Sequence, residues 1–164
     1  MSTDPSTLAD IHDITTLKYR YGRCLDTREW DGFAATLAPD ATARYGTVSQ
    51  GDPLHFDGRD AIVDYMRTSL TGNIVSTHTF GNPEITVDGD QATGSWSMSD
   101  VVIAPDFDTV ITGTSYYSDR YAKIDGRWYI SHTEYYRLYE AITPMASSGM
   151  QLIANRWSSS PPST

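Results

Sequence analysis

The sequence predicts an α+β domain in which helices lie in the concave face of a strongly curved antiparallel sheet. Two observations predict it. Through the first seventy residues, apolar side chains recur at steps of three and four, the spacing of amphipathic helices. Beyond them come strand-like segments joined at Asp88-Gly89 and Asp125-Gly126, strong short-range hairpin signals. Helices first and long hairpins afterwards is the order of an α+β domain.

Taken in order, Ile11, Ile14, Leu17, Tyr21, Cys24 and Leu25 form the apolar stripe of a first helix. "WDGFAATL" gives a short second helix, which Pro39 ends, and "DATARYG" reads as a strand. "GRDAIVDYMRTSL" is a third helix with Ala61, Ile62, Tyr65, Met66 and Leu70 on one side, and Gly72 lies just past its end, where a left-handed cap residue is expected. "IVSTHTFGNPEITVDGDQATGSWSMSDVVIA" and "TVITGTSYYSDRYAKIDGRWYISHTEYYRLY" supply the hairpins. A single domain over residues 8–140 is expected, with residues 1–7 and 158–164 as flexible, polar ends. Residues 141–157 carry Met145, Met150, Leu152, Ile153 and Trp157, too apolar for a loose tail, and are expected to cover a pocket or an interface.

Composition excludes several function classes. The 164 residues include 12 basic and 21 acidic ones, a formal net charge of -9, and no basic stripe, so nucleic acid is not an expected partner. No segment approaches the length of apolar run needed to span a membrane, and Met1 to Asp13 lacks the apolar core of a signal peptide. The one cysteine, Cys24, forbids an internal disulfide and fits a reducing, cytoplasmic setting. Walker, Rossmann, zinc and EF-hand spacings are missing, so neither a metal nor a cofactor is expected.

Strand parity points to a site. Side chains alternate between faces, so Trp96, Met98, Asp100 and Val102 share one face while Ser95, Ser97, Ser99 and Val101 share the more polar other. By the same rule Ile74, Ser76, His78 and Phe80 lie together, and so do Trp128, Ile130 and His132. Three ionisable groups, His78, Asp100 and His132, therefore fall on apolar faces, where charge must be compensated by a partner, water or a ligand. A polar-lined pocket in an apolar cone is the simplest arrangement, with Tyr45, Phe80, Trp96, Met98 and Trp128 as binding surface for a bulky, apolar organic compound. A structural reading stands beside it: core histidines, Asp100 paired with Arg44 or Arg120, and Asp26 opening a capping box in "DTRE". A β-bulge in any of these strands would reverse its parity. The outer parity of "YISHTEYYRLY", with Tyr129, Tyr135 and Tyr139, offers an interface for a homodimer or homotrimer.

"ITTLKYRYGRCLDTREWDGFAATLAPDATARYG" resembles the opening of SnoaL-like members of the NTF2-like superfamily: Tyr21 to Asp26 as Tyr-x4-Asp, then Trp30-Asp31, then Pro39-Asp40-Ala41. "FDGRDAIVDYM", "STHTFGNPEITVDGDQATG" and "YSDRYAKIDGRWYISHTEY" continue the likeness, which runs roughly from Leu8 to Tyr139. The resemblance implies an NTF2-like cone. It also implies kinship with scytalone dehydratase, bile acid 7α-dehydratase and hexachlorocyclohexane dehydrochlorinase, lyases that eliminate water or HCl without a cofactor. It places a histidine base at His78, its carboxylate partner at Asp26, a helix tyrosine at Tyr21 and a polar strand position at Asp100. His132 falls where the dehydrochlorinase has an arginine, which argues for loss of water rather than halide. Since one fold hosts many reactions, a steroid-isomerase-like proton transfer or a noncatalytic ligand-binding domain remain the other readings.

Overall fold

A computed structural model describes residues 4–158. The expected frayed ends at residues 1–3 and 159–164 lie outside the described residues. The remainder of the expected N-terminal end is ordered, because helix α1 begins at Pro5 and runs to Asp26. Proline at the first helical position sacrifices no intrahelical hydrogen bond.

The short helix α2 covers Trp30–Ala34, strand β1 Leu37–Tyr45, strand β2 Leu54–Asp57 and helix α3 Arg59–Ser69. Strands β3 (Val75–Asp88), β4 (Gln91–Ala104), β5 (Thr109–Ile124) and β6 (Arg127–Pro144) form the long meander, and a one-turn helix α4 follows at Met145–Ser148. The six strands form one sheet in the order β2-β1-β6-β5-β4-β3, antiparallel except where β1 runs parallel to β6. The sheet does not close, and α1 lies against β3 within its curve. At the β5–β6 turn Asp125 and Gly126 both have positive φ, +51° and +78°, the requirement of a type I′ hairpin. At the β3–β4 turn the left-handed residue is Gly89, φ +58°.

Three local expectations change. β1 begins at Leu37, before Pro39, and the strand absorbs the proline through a register irregularity between Leu37 and Thr42. Strand β2 was not anticipated, since "LHFD" is too short to display a period. The capping-box reading of "DTRE" also fails: α2 starts at Trp30, and its cap residue, Glu29, makes no side-chain capping bond.

The core joins Ile14, Leu17, Tyr21 and Leu25 of α1 to Phe33, Leu37, Ile62, Trp96, Met98, Tyr117, Tyr121 and Ile130. The start of α1 is fixed to the β5–β6 hairpin by Asp10, whose Oδ1 accepts from Lys123 Nζ at 2.7 Å and Trp128 Nε1 at 2.8 Å. These bonds hold the Asp10 carboxyl below the usual range, the one from Lys123 contributing most. A depressed folded-state value means stability that is complete above the ordinary carboxylate range and drains as pH falls through it. Thermal midpoints measured from neutral pH to below about pH 4 are expected to fall less steeply in Asp10→Asn than in wild type.

Candidate active site

The site forms where the end of α1 meets β3 and β4. Gly22 sets the approach. A Cβ there would lie 2.7 Å from a Phe80 ring carbon, so a bare glycine lets α1 settle on β3 one turn before Asp26. Asp26 then reaches the strand: Oδ2 accepts the backbone N–H of His78 at 2.7 Å, and Oδ1 accepts from Ser76 Oγ at 2.9 Å and from His78 Nδ1 at 2.7 Å. These three donors explain why a helix can end on an acid despite the negative end of its dipole. Because a carboxylate oxygen accepts, Nδ1 carries the ring proton, and Nε2 is left as the basic nitrogen.

His78 lines a cavity of about 240 Å³. Its walls include Leu25, Met66, Leu70, Ile74, Met98 and Val102, with Tyr45, Tyr65, Tyr117 and Tyr135 adding hydroxyls and Asp100 and Arg137 adding charge to a mostly apolar surface. Tyr45 exchanges a hydrogen bond with the wholly buried Tyr21, O to O 3.0 Å. Burial first, then neighbouring tyrosines and Asp119, push Tyr21 and Tyr45 well above the usual phenol range. Both therefore keep their protons at any physiological pH and serve as hydrogen-bond donors.

Beside His78, on the neighbouring strand β4, its register partner Asp100 is buried and bound by Arg137, Nη1 to Oδ1 at 2.5 Å and Nη2 to Oδ2 at 2.9 Å. Burial alone would lower the Arg137 guanidinium; Asp100 more than offsets it, with Tyr135 and Glu140 assisting, and the net shift is upward. Gly113 makes room for this pair, since a Cβ there would sit 2.7 Å from Arg137 Nη1 and 2.8 Å from the Tyr139 carbonyl. Gly113→Ala is expected to displace the guanidinium and destabilise the fold by about 1–3 kcal/mol, seen as a lower thermal midpoint.

The expected site residues divide accordingly. Asp26, His78, Tyr45, Met98 and Asp100 come together at the cavity, with Tyr21 behind Tyr45 and Phe80 parallel to the His78 ring at 6.5 Å. Trp96 and Trp128 are core residues whose indole N–H groups donate to Tyr121 and Asp10. His132 leaves the site. A bulge at Ser131, where Ile130 pairs with Tyr121 and His132 with Arg120, turns His132 to the other face. There its Nδ1 bonds Thr42 Oγ1 at 2.7 Å, and burial with the Arg120 charge holds the imidazole below its usual range. The same bulge turns Tyr135, expected on the outer face, inward together with Thr133 and Arg137. Arg137 was therefore missed as the Asp100 partner, in place of Arg44 or Arg120. Cys24 is buried, which pushes its thiol up and away from reactivity. Among the described residues no three His, Cys, Asp or Glu side chains gather as a metal site would require.

The profile of the SnoaL-like domain matches residues 6–134, most of the chain. The chain belongs to the SnoaL-like domain family. This SnoaL-like chain has the NTF2-like fold of that family's structural neighbours. One is a candidate scytalone dehydratase from Novosphingobium aromaticivorans DSM 12444, with 19% identity over 82% of this chain and 88% of the other and a TM-score of 0.70. Another is the hexachlorocyclohexane dehydrochlorinase LinA-type3 from Novosphingobium barchaimii LL02, with 17% identity over 84% and 92% of the two chains and a TM-score of 0.73. A third, a candidate aromatic ring hydroxylase from Novosphingobium aromaticivorans DSM, reaches 0.71 at 18% identity over 83% and 94%. At such identities the likeness concerns the fold. No described helix is long and apolar enough to cross a membrane.

Proposed function

We propose that this SnoaL-like domain is a cofactor-independent lyase that removes water from a small apolar hydroxy-carbonyl compound. The observation that carries this reading is the Asp26–His78 pair at the wall of an apolar cavity. Asp26 fixes the ring tautomer and stabilises the imidazolium that forms when Nε2 takes a proton from the carbon beside the carbonyl. The 3.0 Å contact lets either hydroxyl donate; in this scheme Tyr21 donates to Tyr45, and the Tyr45 proton meets the carbonyl oxygen as enolate character develops. The β C–O bond then breaks, and the proton held by His78 returns to the departing hydroxyl, so that an alkene and water leave together. Asp100 is not a separate acid in this scheme, because Arg137 occupies both of its oxygens.

One observation favours a second reading. With His132 outside the cavity and Asp100 engaged, a double-bond isomerase needs nothing more than the same base and tyrosine donors. Product mass separates the two: incubation with a panel of β-hydroxyketones is expected to yield products lighter by one water, whereas an isomerase leaves mass unchanged. The 2.7 Å contact between Asp26 and His78 supports chemistry over mere ligand holding, which requires no oriented imidazole. The reading extends to a cytoplasmic homodimer or homotrimer, in which a second copy would cover the exposed Tyr116, Tyr136 and Leu138.

A further inference from the structure

Arg137 is the one guanidinium lining the cavity, and its hydrogens are nearly all committed. Nη1 donates to Asp100 Oδ1 at 2.5 Å and to Ser115 Oγ at 3.2 Å, Nη2 donates to Asp100 Oδ2 at 2.9 Å, and Nε donates to Glu140 Oε2 at 3.1 Å. A guanidinium has five N–H groups; the fifth, on Nη2, has no acceptor among the described residues. The carboxylates are equally occupied. Both Asp100 oxygens accept from Arg137, while Glu140 accepts from Arg137 through one oxygen and from the Ser49 backbone N–H through the other, at 2.8 Å. The Arg137 and Glu140 side chains are 7% and 6% exposed, so bulk water does little to screen the group.

We infer that the Asp100–Arg137–Glu140 cluster is a specificity device, which selects uncharged ligands carrying a hydrogen-bond acceptor and rejects the corresponding carboxylates. The inference rests on the cavity being the ligand site, as proposed above. A carboxylate ligand gains most from two parallel N–H bonds to an arginine, and Asp100 already holds the pair of hydrogens that would make them. It would also meet two carboxylates formally opposing one guanidinium in a poorly screened space. A ketone or alcohol oxygen needs one donor, and one donor is what the guanidinium retains. Tyr45, Tyr117 and Tyr135 supply further neutral polar contacts without changing the charge balance.

Binding by titration calorimetry with α-tetralone and α-naphthoate, a neutral ketone and an anion of similar size, tests this independently of turnover. Wild type is expected to bind the ketone at least about tenfold more tightly. In Asp100→Asn, which removes one negative charge and releases guanidinium hydrogens, that preference is expected to shrink about tenfold or more through a gain in naphthoate affinity. Glu140→Gln, placed further out on β6, is expected to shift the preference in the same direction and serves if Asp100→Asn does not fold. Naphthoate binding to wild type as tightly as tetralone, an unchanged preference in the folded variant, or no tetralone binding at all would overturn the inference. Tetralone binding without dehydration of any hydroxyketone would leave it standing and remove only the lyase reading.

Discussion

Replacing His78 with alanine is expected to lower the proposed turnover by about 10²–10⁴-fold, the range for loss of a positioned general base, while the fold persists. Two features separate these effects. The imidazole is at the cavity wall rather than in the centre of the core, so its removal enlarges a space that already exists. Moreover, the backbone N–H of residue 78 still donates to Asp26, and Ser76 Oγ still binds the other oxygen, so the joint between α1 and β3 keeps two of its three bonds. Asp26→Asn behaves differently. The amide retains one accepting oxygen where the carboxylate has two, so both catalysis and the joint suffer. The measurement is the rate of water loss from a responsive hydroxyketone, taken beside a urea unfolding curve for each variant. If His78→Ala loses activity and stability in parallel, His78 is a core histidine and the catalytic reading fails.

Lys18→Met destabilises the protein by about 3–5 kcal/mol, the cost of stranding a buried charge. Lys18 Nζ lies 2.7 Å from Asp119 Oδ2, and both side chains are fully buried. The ammonium also rests over the rings of Tyr117, Tyr21 and Phe80, at 3.9, 4.7 and 4.7 Å from their centroids. Burial pulls Lys18 below its usual range, and Asp119 opposes that pull. Without the lysine, the Asp119 carboxyl keeps the Tyr121 hydroxyl at 2.8 Å and loses its charge partner. Urea midpoints at constant slope measure the loss. The double variant Lys18→Met with Asp119→Leu is expected to recover most of it, because an apolar pair needs no compensation. Arg23→Ala, which breaks an exposed pair with Glu29, is expected to cost no more than about 1 kcal/mol.

Periodicity and local chemistry made much of the molecule legible. The three helices, both hairpin turns and the inward faces of β3 and β4 follow from spacings of three to four and of two and from the turn dipeptides, and β4 runs from Ser97 to Val102 without a bulge in its pairing with either neighbour. His78 and Asp100 are consequently register partners across β3 and β4. Gly22, in the middle of a helix, is itself a signal of close packing. A glycine there costs about 1 kcal/mol relative to alanine, and the compensation is the close approach of α1 to Phe80.

The sequence by itself determined the three main helices and the long hairpin strands, and it marked His78 and Asp100 as ionisable groups on inward faces, because those features depend on residues a few positions apart; Asp26 came from the resemblance. Only the tertiary structure decided the far wall of the cavity. A single extra residue at Ser131 reverses the parity of β6, taking His132 out and bringing Tyr135 and Arg137 in. A bulge is fixed by how two neighbouring strands fit together, so no period within one strand reveals it. The burial of Lys18 beside Asp119 was decided in the same way, since an ion pair exists only once the fold has joined a helix to a strand a hundred residues away.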